Sequence, residues 1–293
     1  RNIGIGNLII TRMGTIITLY DQIYRQSREV FWGQPVYDLG SNNIYGPLKN
    51  GLCYTEKTDE IYFGEYVNKR PSTVKILRGR NDGLDWDVCF QFGEGEIKHV
   101  HSLYSDPFRD CIWVCVGDNA NESALYYTKD GFKTLVKFGG GDLSWRIVSL
   151  IIREDCIFYG TDVGAGEDRK DINNNYIYRI NFPSGDRDIL VGIEKPAYYS
   201  CVLQNGLMLI ATTYEEKMER LVNPTASIWA SIDGFNWYET VEFPYKLVER
   251  GYGTKFGTIA FPRSNEPLQS CVVSMFNISN YDFNTVKIDF DYI

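Results

Sequence analysis

The chain has 293 residues, of which 44% are hydrophobic and 23% are charged, and this composition is typical of a folded domain and excludes a disordered chain. A formal net charge of -8 excludes a duplex nucleic-acid binder, which needs a basic face. We expect no membrane span, because no apolar run reaches about 18 residues, and one domain over residues 1–293, because no linker-like segment divides the chain.

Short apolar segments that end in a small or acidic residue recur along the chain. Aromatic residues make up 15% of the chain and there are 27 glycines, which favours many short strands joined by turns. The recurring segments are IYFGE from Ile61, IWVCVGD from Ile112, IFYGTD from Ile157 and LMLIATT from Leu207. A spacing of about 45 to 55 residues is the length of one four-stranded propeller blade.

The pattern predicts an all-β fold, a six-bladed β-propeller of four-stranded antiparallel blades. One short strand precedes each recurring segment and two follow it, so that each repeat contains four strands. The predicted blades cover residues 7–46, 47–96, 97–144, 145–194, 195–247 and 248–293. The last blade supplies only three strands, and we expect residues 1–6 to complete it and close the ring, since closure removes open sheet edges.

Three turns at blade spacing share an Asp-Gly dipeptide next to aromatic residues. They read RNDGLDW around Asp82, TKDGFKTL around Asp130 and SIDGFNW around Asp233. These turns resemble the Asp-box, or BNR, repeat of the sialidase-like propellers, in which the Asp accepts N–H bonds within the turn and Gly permits a positive φ. The resemblance implies a glycan-processing enzyme, a lectin-like binder or a scaffold, and the three Asp residues are expected to be structural.

The chain departs from the sialidase motif. The segment NKRPSTV around Arg70 is the nearest approach to the Arg-Ile-Pro motif, but it lacks the Ile and follows the second strand of its blade. We therefore do not expect a sialidase.

In a propeller, the loops from the fourth strand to the next blade and from the second strand to the third open on one face, where ligands bind. This rule gathers four candidate catalytic residues: His99, His101, Glu65 and Asp118. The two histidines lie two residues apart and project to one side of a strand, where they can act as acid and base or bind a divalent metal with carboxylates. Glu65 and Asp118 end second strands and are candidate general acids, or caps of those strands.

The same rule gathers seven candidate substrate-binding residues. Arg70 and Arg146 can bind the carboxylate of an acidic sugar, or form salt bridges with Glu65 or Asp118. The aromatic members can stack on sugar rings or only pack. The remaining five candidates are Trp145, Tyr66, Asp162, Tyr198 and Tyr252.

These residues predict a carbohydrate-active propeller that acts on an acidic glycan or polysaccharide, as a glycoside hydrolase or a polysaccharide lyase. The alternative is a non-catalytic glycan-binding or scaffold propeller. A glycan is the expected partner, and a divalent metal at His99 and His101 is a possible cofactor. The resemblance favours an extracellular or periplasmic location, whereas the seven cysteines, none in a close CxxC pair, are expected to be buried free thiols, which favours the cytoplasm.

Overall fold

The described residues form six antiparallel β-sheets, the blades of a six-bladed β-propeller, as the sequence predicts. The computed structural model describes residues 7–19, 22–27, 33–39, 50–67, 72–164, 175–215, 223–249, 254–264 and 266–290. Within these ranges the one helical element is a 3₁₀ turn, Leu143–Trp145. No helix in this part of the chain is long and apolar enough to cross a membrane.

Backbone contacts divide the chain into two compact units, Arg1–Arg146 and Ile147–Ile293, with three sheets in each. The prediction of a single domain stays a prediction. Each sheet lies within its predicted blade. The first sheet of unit 1 contains β1 (Asn7–Ile10), β2 (Gly14–Leu19), β3 (Gln22–Ser27) and β4 (Gln34–Asp38). The second contains β5 (Leu52–Thr55), β6 (Glu60–Gly64), β7 (Val74–Arg80) and β8 (Asp85–Phe92), and the third β9 (Val100–Asp106), β10 (Cys111–Val116), β11 (Ala124–Thr128) and β12 (Val136–Gly140).

Unit 2 repeats this organisation in two four-stranded sheets and one three-stranded sheet. Its first sheet contains β13 (Ile151–Ile152), β14 (Cys156–Gly160), β15 (Tyr176–Asn181) and β16 (Arg187–Gly192). The second contains β17 (Ala197–Val202), β18 (Met208–Thr212), β19 (Thr225–Ser231) and β20 (Tyr238–Pro244). The third contains β21 (Thr258–Ala260), β22 (Cys271–Phe276) and β23 (Thr285–Ile288). Residues 1–6, expected to supply its fourth strand, lie outside the described residues.

In the third, fourth and fifth sheets the second strand is the most deeply buried. Every residue of β10, β14 and β18 is buried, whereas the outermost strands β8, β12 and β16 are mostly half-buried or exposed. A strand that is covered on both faces must be apolar along its whole length, and this explains the continuous apolar runs in the sequence. The register shifts between the third and fourth strand of every four-stranded sheet, which is a further mark of the repeat.

The glycines of the three Asp-Gly turns permit both a positive φ and close packing against the preceding sheet. Gly83, Gly131 and Gly234 have φ of +76°, +67° and +75°, a region that disfavours residues with a Cβ. A Cβ at each would also meet a side chain of the preceding sheet in the same unit: Ile16, Tyr62 and Phe158, respectively. The turns therefore dock one blade on the blade before it.

The aspartates of these turns are structural, but they do not all act in the same way. Asp130 accepts the main-chain N–H of Thr134 at 2.9 Å, and Asp233 accepts the main-chain N–H groups of Phe235 and Asn236, each at 2.8 Å. The Asp82 carboxylate instead accepts the Thr11 hydroxyl at 2.6 Å and binds the Arg25 guanidinium, so it ties the second sheet to the first.

None of the seven cysteines, which all lie among the described residues, forms a disulfide, and five of them are buried. The expectation of buried thiols is thus confirmed for these five, while Cys89 and Cys201 are half-buried.

Candidate functional site

The two histidines and Asp118 meet where the third sheet of unit 1 begins. His99 directly precedes β9 and His101 is its second residue, so strand alternation places both side chains on one side. Asp118 follows β10, which pairs with β9, and the N–H of Gly117 donates to the carbonyl of His99 at 3.2 Å. The strand pairing therefore brings a carboxylate next to both imidazoles.

One atom of each residue lies at a corner of a small triangle. The Nε2 atoms of His99 and His101 are 3.0 Å apart, and Oδ1 of Asp118 is 3.2 Å from the first and 3.1 Å from the second. The imidazoles are only 1% and 2% exposed. We call these three residues the His2Asp cluster.

The orientation of His99 is set by the loop that follows β6. Its Nδ1 lies 3.3 Å from the carbonyl oxygen of Val67, and because a carbonyl only accepts, this nitrogen carries the proton. The ring of Tyr66 stacks on the imidazole, with ring centres 4.0 Å apart. Burial lowers the pKa of His99 to about 4, so the ring is neutral at pH 7 and its Nε2 presents a lone pair to the cluster.

Two cationic side chains also contact Asp118. The Lys98 ammonium binds Oδ2, and the Arg146 guanidinium lies 3.4 Å from Oδ1. Burial raises the pKa of Asp118, but the opposing effects, of which the hydrogen bond from His101 is the largest, hold the pKa well below its usual range. Asp118 is therefore an anion at neutral pH.

The His2Asp cluster could hold a metal ion. Ligand atoms at right angles, about 2.1 to 2.2 Å from one ion, are roughly 3.0 to 3.1 Å apart, whereas tetrahedral zinc ligands are about 3.3 to 3.4 Å apart. The observed edges of 3.0 to 3.2 Å fit one face of an octahedron better. A ligating histidine usually donates its other N–H to a carbonyl or carboxylate, as His99 does to Val67.

Glu65 lies in the neighbouring sheet and is engaged differently. Its Oε2 accepts the main-chain N–H of Lys75 at 2.8 Å, and its carbonyl accepts the N–H of Val100, which lies between the two histidines, at 3.0 Å. Burial raises the pKa of its carboxyl, and the Lys75 N–H bond opposes that shift.

The other predicted residues belong to both units or lie outside the described residues. The indole of Trp145 packs against Gly139 and Phe138, in unit 1. In unit 2, Asp162 is buried, and the hydroxyl of Tyr198 donates to Glu215 at 2.8 Å. Arg70 and Tyr252 lie outside the described residues.

Two partners of the site were not anticipated. One is Lys98, whose ammonium binds Asp118. The sequence indicated it only weakly, through its position directly before His99. The other is the main-chain carbonyl of Val67, which the sequence could not indicate, since every residue has such an acceptor.

No protein-family model and no curated protein sequence matches the chain, so the Asp-box resemblance stays a prediction. Solved propeller structures do match. An oligogalacturonate lyase in complex with manganese is 9% identical, with a TM-score of 0.53 over 83% of this chain and 66% of that one. The GH74 enzyme of Niastella koreensis is 12% identical, with a TM-score of 0.52 over 96% of this chain and 53% of that one. A prolyl endopeptidase is 10% identical, with a TM-score of 0.58 over 98% of this chain and 42% of that one.

These likenesses concern the fold. The chain spans only about half to two thirds of the length of the lyase and of the GH74 enzyme. Fold and site together define a class: a six-bladed β-propeller whose third blade carries a buried His2Asp cluster that could bind a metal.

Proposed function

We propose that this chain is a carbohydrate-active propeller in which the His2Asp cluster binds a divalent cation and, together with Arg146, an acidic sugar. The observation that carries the proposal is the triangle of His99 Nε2, His101 Nε2 and Asp118 Oδ1, with edges of 3.0 to 3.2 Å beside two cationic side chains. Two imidazoles and one carboxylate on one face are a common set for octahedral divalent ions with open positions.

The surroundings of the cluster favour an anionic ligand. Lys98 and Arg146 supply two positive charges at a single carboxylate, and a divalent cation adds two more. The guanidinium of Arg146 lies beside the cluster and is suited to bind a carboxylate through paired N–H groups. A uronate sugar supplies that carboxylate, and the lyase of similar fold is named for a galacturonate oligomer and binds manganese.

The pKa values of Asp118 and Glu65 are shifted in opposite directions, and we assign the two carboxylates different roles on that ground. Asp118 is an anion, so we assign it as a ligand and not as the proton donor. Glu65, with a pKa raised by burial, is the proposed acid. A cation held by His99, His101 and Asp118 would supply Lewis-acid chemistry at the sugar carboxylate. Arg146 holds the anionic group in place, and Tyr66 and Val67 keep His99 in the tautomer that binds the ion.

Burial of the cluster favours a second candidate, a glycan-binding propeller in which the ion is structural. The imidazoles are 1% and 2% exposed, and 17% of the Asp118 side chain is exposed. A ligand would then contact Arg146 and the ion without turnover.

The first experiment measures Mn²⁺ binding by calorimetry and product release from polygalacturonate and a neutral β-glucan, with and without EDTA. The test variant is His101→Ala. The matched control is Asp130→Ala, in the same sheet but beyond the end of β11 that lies away from Asp118. We expect Mn²⁺ binding and release of unsaturated or reducing ends from the acidic polymer only, both lost in His101→Ala and kept in Asp130→Ala. Binding of ion and polymer without products would support the second candidate, and a wild-type protein that binds no ion would reject the metal site.

A further inference from the structure

The loop that carries Asp118 is folded around the side chain of Glu122. Oε1 of Glu122 accepts the main-chain N–H of Asp118 at 3.2 Å and that of Asn119 at 2.9 Å. The N–H groups of Glu122 and Ser123 both donate to the carbonyl of Asn119, at 3.1 and 2.9 Å. Glu122 is only 5% exposed, so the hydrogen bonds of its carboxylate are shielded from water.

The start of the loop is fixed as tightly. Gly117 has a φ of +85°, and a Cβ there would lie 2.4 Å from the main-chain carbon and oxygen of Glu122. At the other end of the loop, the hydroxyl of Ser123 donates to the main-chain carbonyl of Asn119 at 2.8 Å. The backbone of Asp118 is therefore held from both sides before any ligand arrives.

We infer that Glu122 is a positioning residue for the metal site. Its carboxylate holds the backbone of Asp118 so that Oδ1 already lies 3.1 to 3.2 Å from both imidazoles. A ligand held in this way loses less conformational entropy when an ion binds. The inference rests on the proposed metal-binding function, and it assigns to Glu122 an effect on affinity without contact with the ion.

The test compares Mn²⁺ affinity in Glu122→Ala, Glu122→Gln and Asp130→Ala. Removal of a group that orients a metal ligand costs about 10- to 100-fold in affinity, and we expect that loss in Glu122→Ala. The glutamine amide oxygen can accept the same two N–H bonds, so Glu122→Gln should lose less than about tenfold. Asp130 also accepts a main-chain N–H within the same sheet, but at the other end of β11, so Asp130→Ala should bind Mn²⁺ as the wild type does.

Thermal unfolding of each variant in EDTA measures the stability of the ion-free fold. A larger loss of affinity in Glu122→Ala than in Glu122→Gln, with Asp130→Ala unchanged, supports the inference. Wild-type affinity in Glu122→Ala overturns it while leaving the metal site intact. Equal losses in Ala and Gln variants also overturn it, since the charge would then matter and not the N–H bonds. Absence of binding in the wild type rejects the metal site and the inference together.

Discussion

Gly117→Ala should both destabilise the fold and weaken Mn²⁺ binding at the proposed metal site. The new Cβ would lie 2.4 Å from the backbone of Glu122, and the residue would keep a φ of +85°. The clash and the unfavourable dihedral both strain the peptide that joins residue 117 to Asp118.

The cost follows from two contributions. A residue with a Cβ in the left-handed region pays about 1 to 2 kcal/mol, of which roughly 0.4 to 1 kcal/mol is offset by the lower entropy of the unfolded chain. The clash with rigid backbone adds about 1 to 3 kcal/mol, as overpacking does in cores. We expect a total of about 1 to 4.5 kcal/mol in the free energy of unfolding.

Gly95→Ala separates the two contributions. Gly95 has a φ of +73°, but a Cβ there meets nothing within 4 Å, so only the cost of the dihedral, about 1 kcal/mol, is expected. Urea unfolding of both variants measures the difference, and Mn²⁺ calorimetry reports on the site. Equal destabilisation by the two substitutions would refute the reasoning, because the clash with Glu122 would then cost nothing.

Three further predictions concern stability away from the cluster. Asn175→Ala should cost about 2 to 4 kcal/mol in urea unfolding, because the fully buried amide bonds both the N–H and the carbonyl of Val163, at 2.7 and 2.9 Å. Asp82→Asn should cost about 1 to 3 kcal/mol in the same assay by weakening the bond to Arg25, and an unchanged midpoint would argue against that tie between sheets. Burial raises the pKa of Cys271 to about 12, so the folded thiol keeps its proton at a pH where the unfolded thiol, with a pKa of about 8.5, ionises. The free energy of unfolding should therefore fall as the pH rises from about 8.5 towards 12, and it should fall less steeply in Cys271→Ala. Urea unfolding of both proteins at pH 7 and pH 10 measures the difference.

The blades could be predicted because their pattern is local and repeated. A strand such as β10, buried on both faces, must be apolar at every position, and the Asp-Gly turns mark the way into the fourth strand. The role of Asp82 could not be predicted, since Asp82 and Asp130 stand in the same Asp-Gly dipeptide. Only the packing of two sheets shows that its carboxylate accepts from Thr11 and Arg25.

The site could be predicted in part. Strand alternation and propeller connectivity were enough to place His99, His101 and Asp118 together, and the structure does bring these three into contact. Arg146 was anticipated as an ion-pair partner or a sugar ligand, and it does contact Asp118. The indole of Trp145, predicted by the same rule, packs against Gly139 and Phe138 of the third sheet.

The charge state of the two candidate acids could not be deduced from the sequence. Glu65 and Asp118 occupy the same position, after a glycine at the end of a second strand, so a strand-end pattern assigns both as acids. Their pKa values nevertheless move in opposite directions: burial dominates at Glu65, whereas Asp118 faces two imidazoles with Lys98 and Arg146. A lowered pKa suits the role of metal ligand proposed for Asp118, and a raised pKa suits the role of proton donor proposed for Glu65. The opposite pKa shifts thus follow from the different neighbours of each carboxylate, which the fold brings together and a strand-end pattern does not reveal.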